Sequence, residues 1–193
     1  MADKKFERIV LHCSDSEFGH ALMIREWHIQ RGFSTVGYHC IILNGFPTAD
    51  WYKNKIMVPY LDGSVEWGRE VDSDEWFEGH EIGAHVKNFN TGSLSVCMIG
   101  KEKFSTSVLN SALKVIRFHM KQFGLGAESV VGHYELNPDK TCPNIEMKTF
   151  RQHLVDNTNY GETAKEEKKE EPKEEAMDFG WLKMLGRFLK NNF

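Results

Sequence analysis

The stretch "VVGHYELNPDKTCPN", residues 130–144, begins as a short apolar strand and continues as a polar loop. The loop carries His133, Lys140 and Cys142, and Pro138 and Pro143 restrict its backbone. From these residues alone two readings stand: a turn that happens to be polar, or a place where a metal and a substrate meet. A strand that hands a histidine to a loop implies a sheet whose strand ends frame a site. The rest of the chain has to supply that sheet.

It does so on both sides of the stretch. Residues 7–13 (ERIVLHC) read as a buried strand that ends at a histidine. Residues 20–31 place Leu22, Ile24, Trp27 and Ile29 among polar residues, which predicts a helix packed on a sheet and stopped by Gly32. "VGYHCIILNG" and "GSVEWGRE" read as the next two strands, with Asp62–Gly63 as a turn signal between the runs. The intervening segment, 46–61, reads as an elaborated loop able to shape a substrate site. "GSLSVCMIGK" is a strand of alternating pattern, residues 107–123 have apolar positions at helical spacing, and "EMKTFRQHLV" is a closing helix. Strands and helices mix without strict βαβ alternation. The expectation is an α/β domain over residues 1–160, built on a mixed central β-sheet flanked by helices.

Composition supports a globular body: 40% of residues are hydrophobic, which is ample for a core. A net charge of -4 argues against a nucleic-acid protein that relies on a broad basic surface. The N-terminus passes directly from charged residues into a strand-like run, without the apolar region of a secretory signal, which predicts synthesis in the cytoplasm. After Tyr160 the character changes. Residues 161–176 read as a solvated linker, since "ETAKEEKKEEPKEE" offers no large apolar side chain to bury. Residues 177–193 place Trp181, Leu182, Met184, Leu185, Phe188 and Leu189 on one helical face and Lys183, Arg187 and Lys190 on the other. Such an amphipathic cationic helix suits an anionic membrane or lipopolysaccharide surface, or docking on a protein surface.

The chemistry-bearing candidates are few. A hydrolytic zinc site needs about three protein ligands with a fourth position left open. His12 and His133, both at predicted strand ends, and Cys142 on the late loop fit that need, although each has an ordinary structural reading by itself. Cys40 and Cys97 lie in apolar runs and read as inert buried thiols. Strand alternation should turn His39 away from Tyr38 as a structural histidine, and Cys13 away from His12 and the metal.

Four segments occur in an order that is itself informative: "VLHCS" (10–14), "VGYHCII" (36–42), "IGAHVKNFNTGSLSVCMIG" (82–100) and "GHYELNPDKTCP" (132–143). In them the chain resembles the type 2 N-acetylmuramoyl-L-alanine amidases, a family that includes phage lysozyme-type endolysins and peptidoglycan-recognition proteins. The resemblance spans roughly residues 7–155. It implies that His12, His133 and Cys142 hold one zinc ion and that Tyr38 is the active-site tyrosine. It implies too that Lys140 stabilises the reacting carbonyl and that His85 and Asn90 line the substrate groove. The implied reaction is hydrolysis of the amide between N-acetylmuramic acid and L-alanine in peptidoglycan, on the cell wall after release from the cytoplasm, as in bacteriolytic endolysins. The alternative within the family is a non-catalytic peptidoglycan-recognition module; members that lost catalysis have typically lost the cysteine ligand. Trp51, Tyr52, Trp76 and Phe77, in segments that look longer than in compact relatives, either extend the groove or serve packing.

Overall fold

The computed structural model describes residues 4–72 and 76–162. The amphipathic segment 177–193 and all but the first two residues of the linker 161–176 lie outside the described residues. The elements run β1 (Lys4–Lys5), β2 (Arg8–Cys13), α1 (Ala21–Gln30), β3 (Cys40–Asn44), α2 (Ala49–Lys53), β4 (Asp62–Trp67), β5 (Trp76–Phe77), β6 (Ser93–Met98), α3 (Thr106–Phe123), β7 (Val130–Gly132), α4 (His133–Leu136) and α5 (Met147–Asp156).

Five strands form one sheet in the order β4-β3-β6-β2-β7. Only β4 runs antiparallel to its neighbour; the other pairings are parallel. The expected mixed sheet is therefore present, with helices on both faces. On one face Leu94, Val96 and Met98 of β6 pack with Val108, Ala112, Leu113 and Ile116 of α3 and with Phe150 and Leu154 of α5. On the other, Cys97, Ile41 and Leu43 pack with Ile24 of α1. This two-sided cover corrects the alternating reading of β6: all six of its residues are buried. Its two serines survive there because each finds a partner, Ser93 donating to the Phe89 carbonyl and Ser95 bonding to His39. No helix of the described residues is long and apolar enough to cross a membrane.

Local chemistry explains the boundaries. Ser105 caps α3 by accepting from the Val108 amide, and Gly124 closes the helix at φ 64°. Glu146, read from sequence as part of α5, is instead its cap and accepts from the Lys148 and Thr149 amides. Asp62–Gly63 is not a turn between strands but the start of β4, where the register to β3 shifts. Gly63 sits there at φ +83°, and a Cβ would come within 2.9 Å of the Ser107 carbonyl. The segment 46–61 holds the short helix α2, capped by Thr48, and a 3-10 turn at Pro59–Leu61.

β3 begins later than the hydrophobic run suggested. Residues 36–39 stay out of the ladder because other groups take their backbone. Gly37 N–H donates to His28 Nδ1 at 2.8 Å, Ala84 N–H donates to the Gly37 carbonyl, and His39 N–H donates to Ser95 Oγ. Gly37 has no room for a side chain, since a Cβ would collide with the Ala84 carbonyl. This close crossing fixes Tyr38 beside the 83–90 loop.

Candidate metal centre

β2 and β7 are parallel neighbours, and their register pairs Leu11 with Gly132. The next residue on each strand is therefore brought level: His12 near the end of β2, and His133 at the start of α4. Their rings lie 4.7 Å apart, centroid to centroid, at 65°. His12 is almost completely buried, at 1% exposure, so its ring has to find its partners inside the protein.

The loop after α4 folds back over these strand ends. Tyr134 N–H donates to the Cys142 carbonyl, and the Asn144 side chain donates to the Lys101 carbonyl at 2.7 Å. Cys142 Sγ is thereby held 3.7 Å from His12 Nδ1, and the Cys13 main-chain N–H donates to it at 3.1 Å. The Cys13 thiol beside it, then burial, hold the Cys142 thiol well above its ordinary range, so without a metal it keeps its proton, and the Cys13 amide only opposes that shift. One donor atom from each of His12, His133 and Cys142 lies within 4.8 Å of the others. Tyr38 stacks obliquely beside the cluster, its ring 5.2 Å from that of His12. Lys140 is exposed on the same loop, and its positive charge acts on His133.

The electrostatics favour uncharged imidazoles. Burial, then the neighbouring His85 and His133, push the pKa of His12 well below the usual histidine value. Burial and then Lys140 depress His133, and burial, with His39 next, takes His85 down to about 3. Neutral imidazole is the form with a lone pair to give. Burial also raises the Tyr38 phenol well above its ordinary value, so its hydroxyl keeps its proton. Cys40 and Cys97 behave as inert buried thiols, both pushed up by burial, Cys40 to about 12.

Three placements differ from the reading of the sequence or add to it. Cys13 does not face away from the cluster: its thiol hydrogen-bonds with that of Cys142, and Asn144 donates to its sulfur at 3.5 Å. β2 ends at Cys13, and the returning loop reaches the sulfur from beyond the strand end, where alternation no longer applies. His85 contacts His12 directly, Nδ1 to Nε2 at 3.1 Å. Asn90 Oδ1 accepts from the His85 and Val86 amides at 2.9 and 2.8 Å, which staples the loop carrying His85. Neither contact has a sequence signal beyond the spacing "HVKNFN" itself. His39 is structural as expected, with both ring nitrogens bonded to Ser95 and Glu81.

The donor set fits zinc. Tetrahedral zinc with bonds of ~2.05 Å to nitrogen and ~2.3 Å to sulfur separates those donors by about 3.6 Å. His12 Nδ1 and Cys142 Sγ stand 3.7 Å apart. Two neutral imidazoles and one thiol, with no fourth protein donor in the cluster among the described residues, are the composition of a zinc site with an open position.

Comparison with known proteins bears on the fold and the family. A family profile described as N-acetylmuramoyl-L-alanine amidase matches residues 2–145. The endolysin of Klebsiella phage KP32 is 29% identical over 153 residues, covering 74% of this chain and 83% of its own. Among solved structures, the N-acetylmuramoyl-L-alanine amidase LysC from Clostridium intestinale URNW superposes with a TM-score of 0.60 at 20% identity, over 78% of this chain and 86% of its own. Drosophila PGRP-LB does so at 0.51 and 19%, over 79% and 84%. At those identities the structural likeness speaks for the fold, and the profile, matched along most of the chain, speaks for the family. The chain belongs to the N-acetylmuramoyl-L-alanine amidase family.

Proposed function

We propose that this protein is a zinc-dependent N-acetylmuramoyl-L-alanine amidase that cleaves the amide between N-acetylmuramic acid and L-alanine in peptidoglycan, and that it serves as a phage-type endolysin. The observation that carries this reading is the convergence of His12, His133 and Cys142 from distant parts of the chain. They are the residues that would hold the metal, which when bound supplies Lewis-acid polarisation of a carbonyl and hydroxide at neutral pH. The exposed Lys140 ammonium stabilises the oxyanion that develops as the amide carbonyl becomes tetrahedral. Tyr38, kept protonated by burial, stands beside His12, where its hydroxyl would either orient the attacking water or donate to the oxyanion. The role of His85 and Asn90 as groove residues is part of the same proposal: His85 contacts His12, and Asn90 holds the loop that carries it. The reading as a binding-only module leaves the cysteine ligand and the open metal position without a purpose.

The chain would act on the cell wall after synthesis in the cytoplasm. The proposal extends to residues 177–193, whose sequence pattern suits an anionic membrane surface. Zinc content and release of soluble fragments from purified peptidoglycan, measured for the wild type and Cys142→Ser, test the central claim. The wild type should carry one zinc and release fragments, and the variant should lose both. Full release without metal overturns the mechanism. Deleting residues 177–193 should leave release unchanged and lower binding to anionic vesicles; unchanged vesicle binding removes the membrane role.

A further inference from the structure

A neutral imidazole has one N–H and one lone pair, so the partner of one nitrogen decides what the other can do. His12 Nδ1 faces Cys142 Sγ at 3.7 Å and His12 Nε2 faces His85 Nδ1 at 3.1 Å. The contact between the two rings needs one proton, and it can sit on either side. If His85 donates from Nδ1, His12 carries its own proton on Nδ1 and has no lone pair to turn toward the cysteine. If His12 donates from Nε2, its Nδ1 lone pair is free and aimed at the Cys142 and His133 side. Only the second arrangement is competent to ligate.

We propose that His85 is a positioning residue: its Nδ1 accepts the Nε2–H of His12 and so holds His12 in the tautomer that presents Nδ1 to the metal. The inference rests on the zinc reading above and assigns His85 a task that lining a groove does not require. The surroundings are built for it. Asn90 Oδ1 fixes the backbone of the loop at His85 and Val86, so the ring approaches His12 from a set direction. If Nδ1 accepts, Nε2 carries the proton of the neutral ring; that nitrogen is buried with no partner in hydrogen-bonding geometry, and the Ser93 carbonyl, which can only accept, also acts on the ring.

The experiment compares His85→Asn, His85→Ala and His85→Leu with the wild type as full chains. An asparagine can place an acceptor oxygen near the position of Nδ1; alanine and leucine cannot. Zinc affinity is read by competition with a chromogenic chelator. The His12 tautomer is read from 15N shifts of the imidazole nitrogens with and without zinc. Alanine and leucine should weaken zinc binding ~10–100-fold and shift the metal-free His12 ring toward Nδ1–H, while asparagine should stay within about threefold of the wild type. The wild type alone provides a second test that no folding defect can confound. Its zinc-loaded form should show 15N–15N coupling between His12 Nε2 and His85 Nδ1, with the proton on His12. Unchanged affinity in the alanine and leucine variants overturns the proposal, as does a proton found on His85. A wild type that binds no zinc overturns the zinc reading itself. Wild-type binding with indifferent variants overturns this inference alone.

Discussion

His12 and His39 are both buried histidines close to the same sheet, yet their ring nitrogens have opposite fates. His39 spends both: Nδ1 meets Ser95, which offers its amide at 2.9 Å and its hydroxyl at 2.8 Å, and Nε2 meets the Glu81 carbonyl at 2.7 Å. His12 spends one nitrogen on His85 and turns the other toward Cys142. Burial is the same in kind, at 0% and 1% exposure, so burial does not mark the site. What separates these two rings is the partner of the remaining nitrogen, which in His12 is the Cys142 sulfur at 3.7 Å and not a backbone or hydroxyl group. The first region is a polar tie that joins the segment before β3 to β6 and to the 78–81 turn, and the second is a socket.

That contrast can be broken most sharply at His12 itself. His12→Ala should abolish zinc binding and drop peptidoglycan hydrolysis to background, and because the ring is buried and bonded to His85 it should also cost the metal-free protein roughly 1–3 kcal/mol. A variant that keeps its zinc would mean that the remaining nitrogen is not a ligand. Lys140→Ala comes next. The ammonium is exposed and ties no element together, so the substitution should lower kcat ~10²–10³-fold with zinc content unchanged. An equal fall in zinc content would move Lys140 from the reaction to the integrity of the loop.

His39→Leu reverses the pattern. It leaves the Ser95 amide and the Glu81 carbonyl unpaired in a dry interior, which costs roughly 2–4 kcal/mol of stability. Zinc affinity of the folded fraction should remain that of the wild type. If His39→Leu loses zinc as His12→Ala does, the division between tie and socket fails.

Much of this arrangement is legible in the amino-acid sequence. The mixed sheet and α3 follow from apolar runs and helical spacing, which are local in the chain, and the trio His12, His133 and Cys142 follows from the family resemblance that the four ordered segments carry. What escapes such reading is set by groups far apart in sequence. The segment 36–39 looks like strand because Val36 and Tyr38 extend the run into β3, but His28, Ala84 and Ser95 compete for its backbone. Alternation turns Cys13 the wrong way because it assumes a continuing strand, and the Cys142 loop returns at the point where β2 stops. The His12–His85 contact joins residues 73 positions apart, and residue type alone does not distinguish a groove histidine from one bonded to a ligand.

The smallest expected effect separates tie from socket by pH. Burial is the chief reason that His39 titrates at about 4 in the folded protein rather than near 6.5, with the Glu81 carbonyl opposing the shift. As pH falls, the unfolded chain therefore takes up this proton first. The stability tied to neutral His39 is complete above about pH 6.5, declines as pH falls toward 4, and changes no further below that. Each unit within the window corresponds to about 1.4 kcal/mol, so lowering the pH from 6.5 to 5 should remove about 2 kcal/mol. The difference in urea-derived stability between the wild type and His39→Gln isolates this group from the other histidines, and it should narrow by that amount between pH 7 and pH 5. A difference that stays constant would mean that His39 is protonated in the folded state. Its two hydrogen bonds would then not need the neutral ring, and the polar tie would no longer explain why this histidine, unlike His12, has no nitrogen to offer.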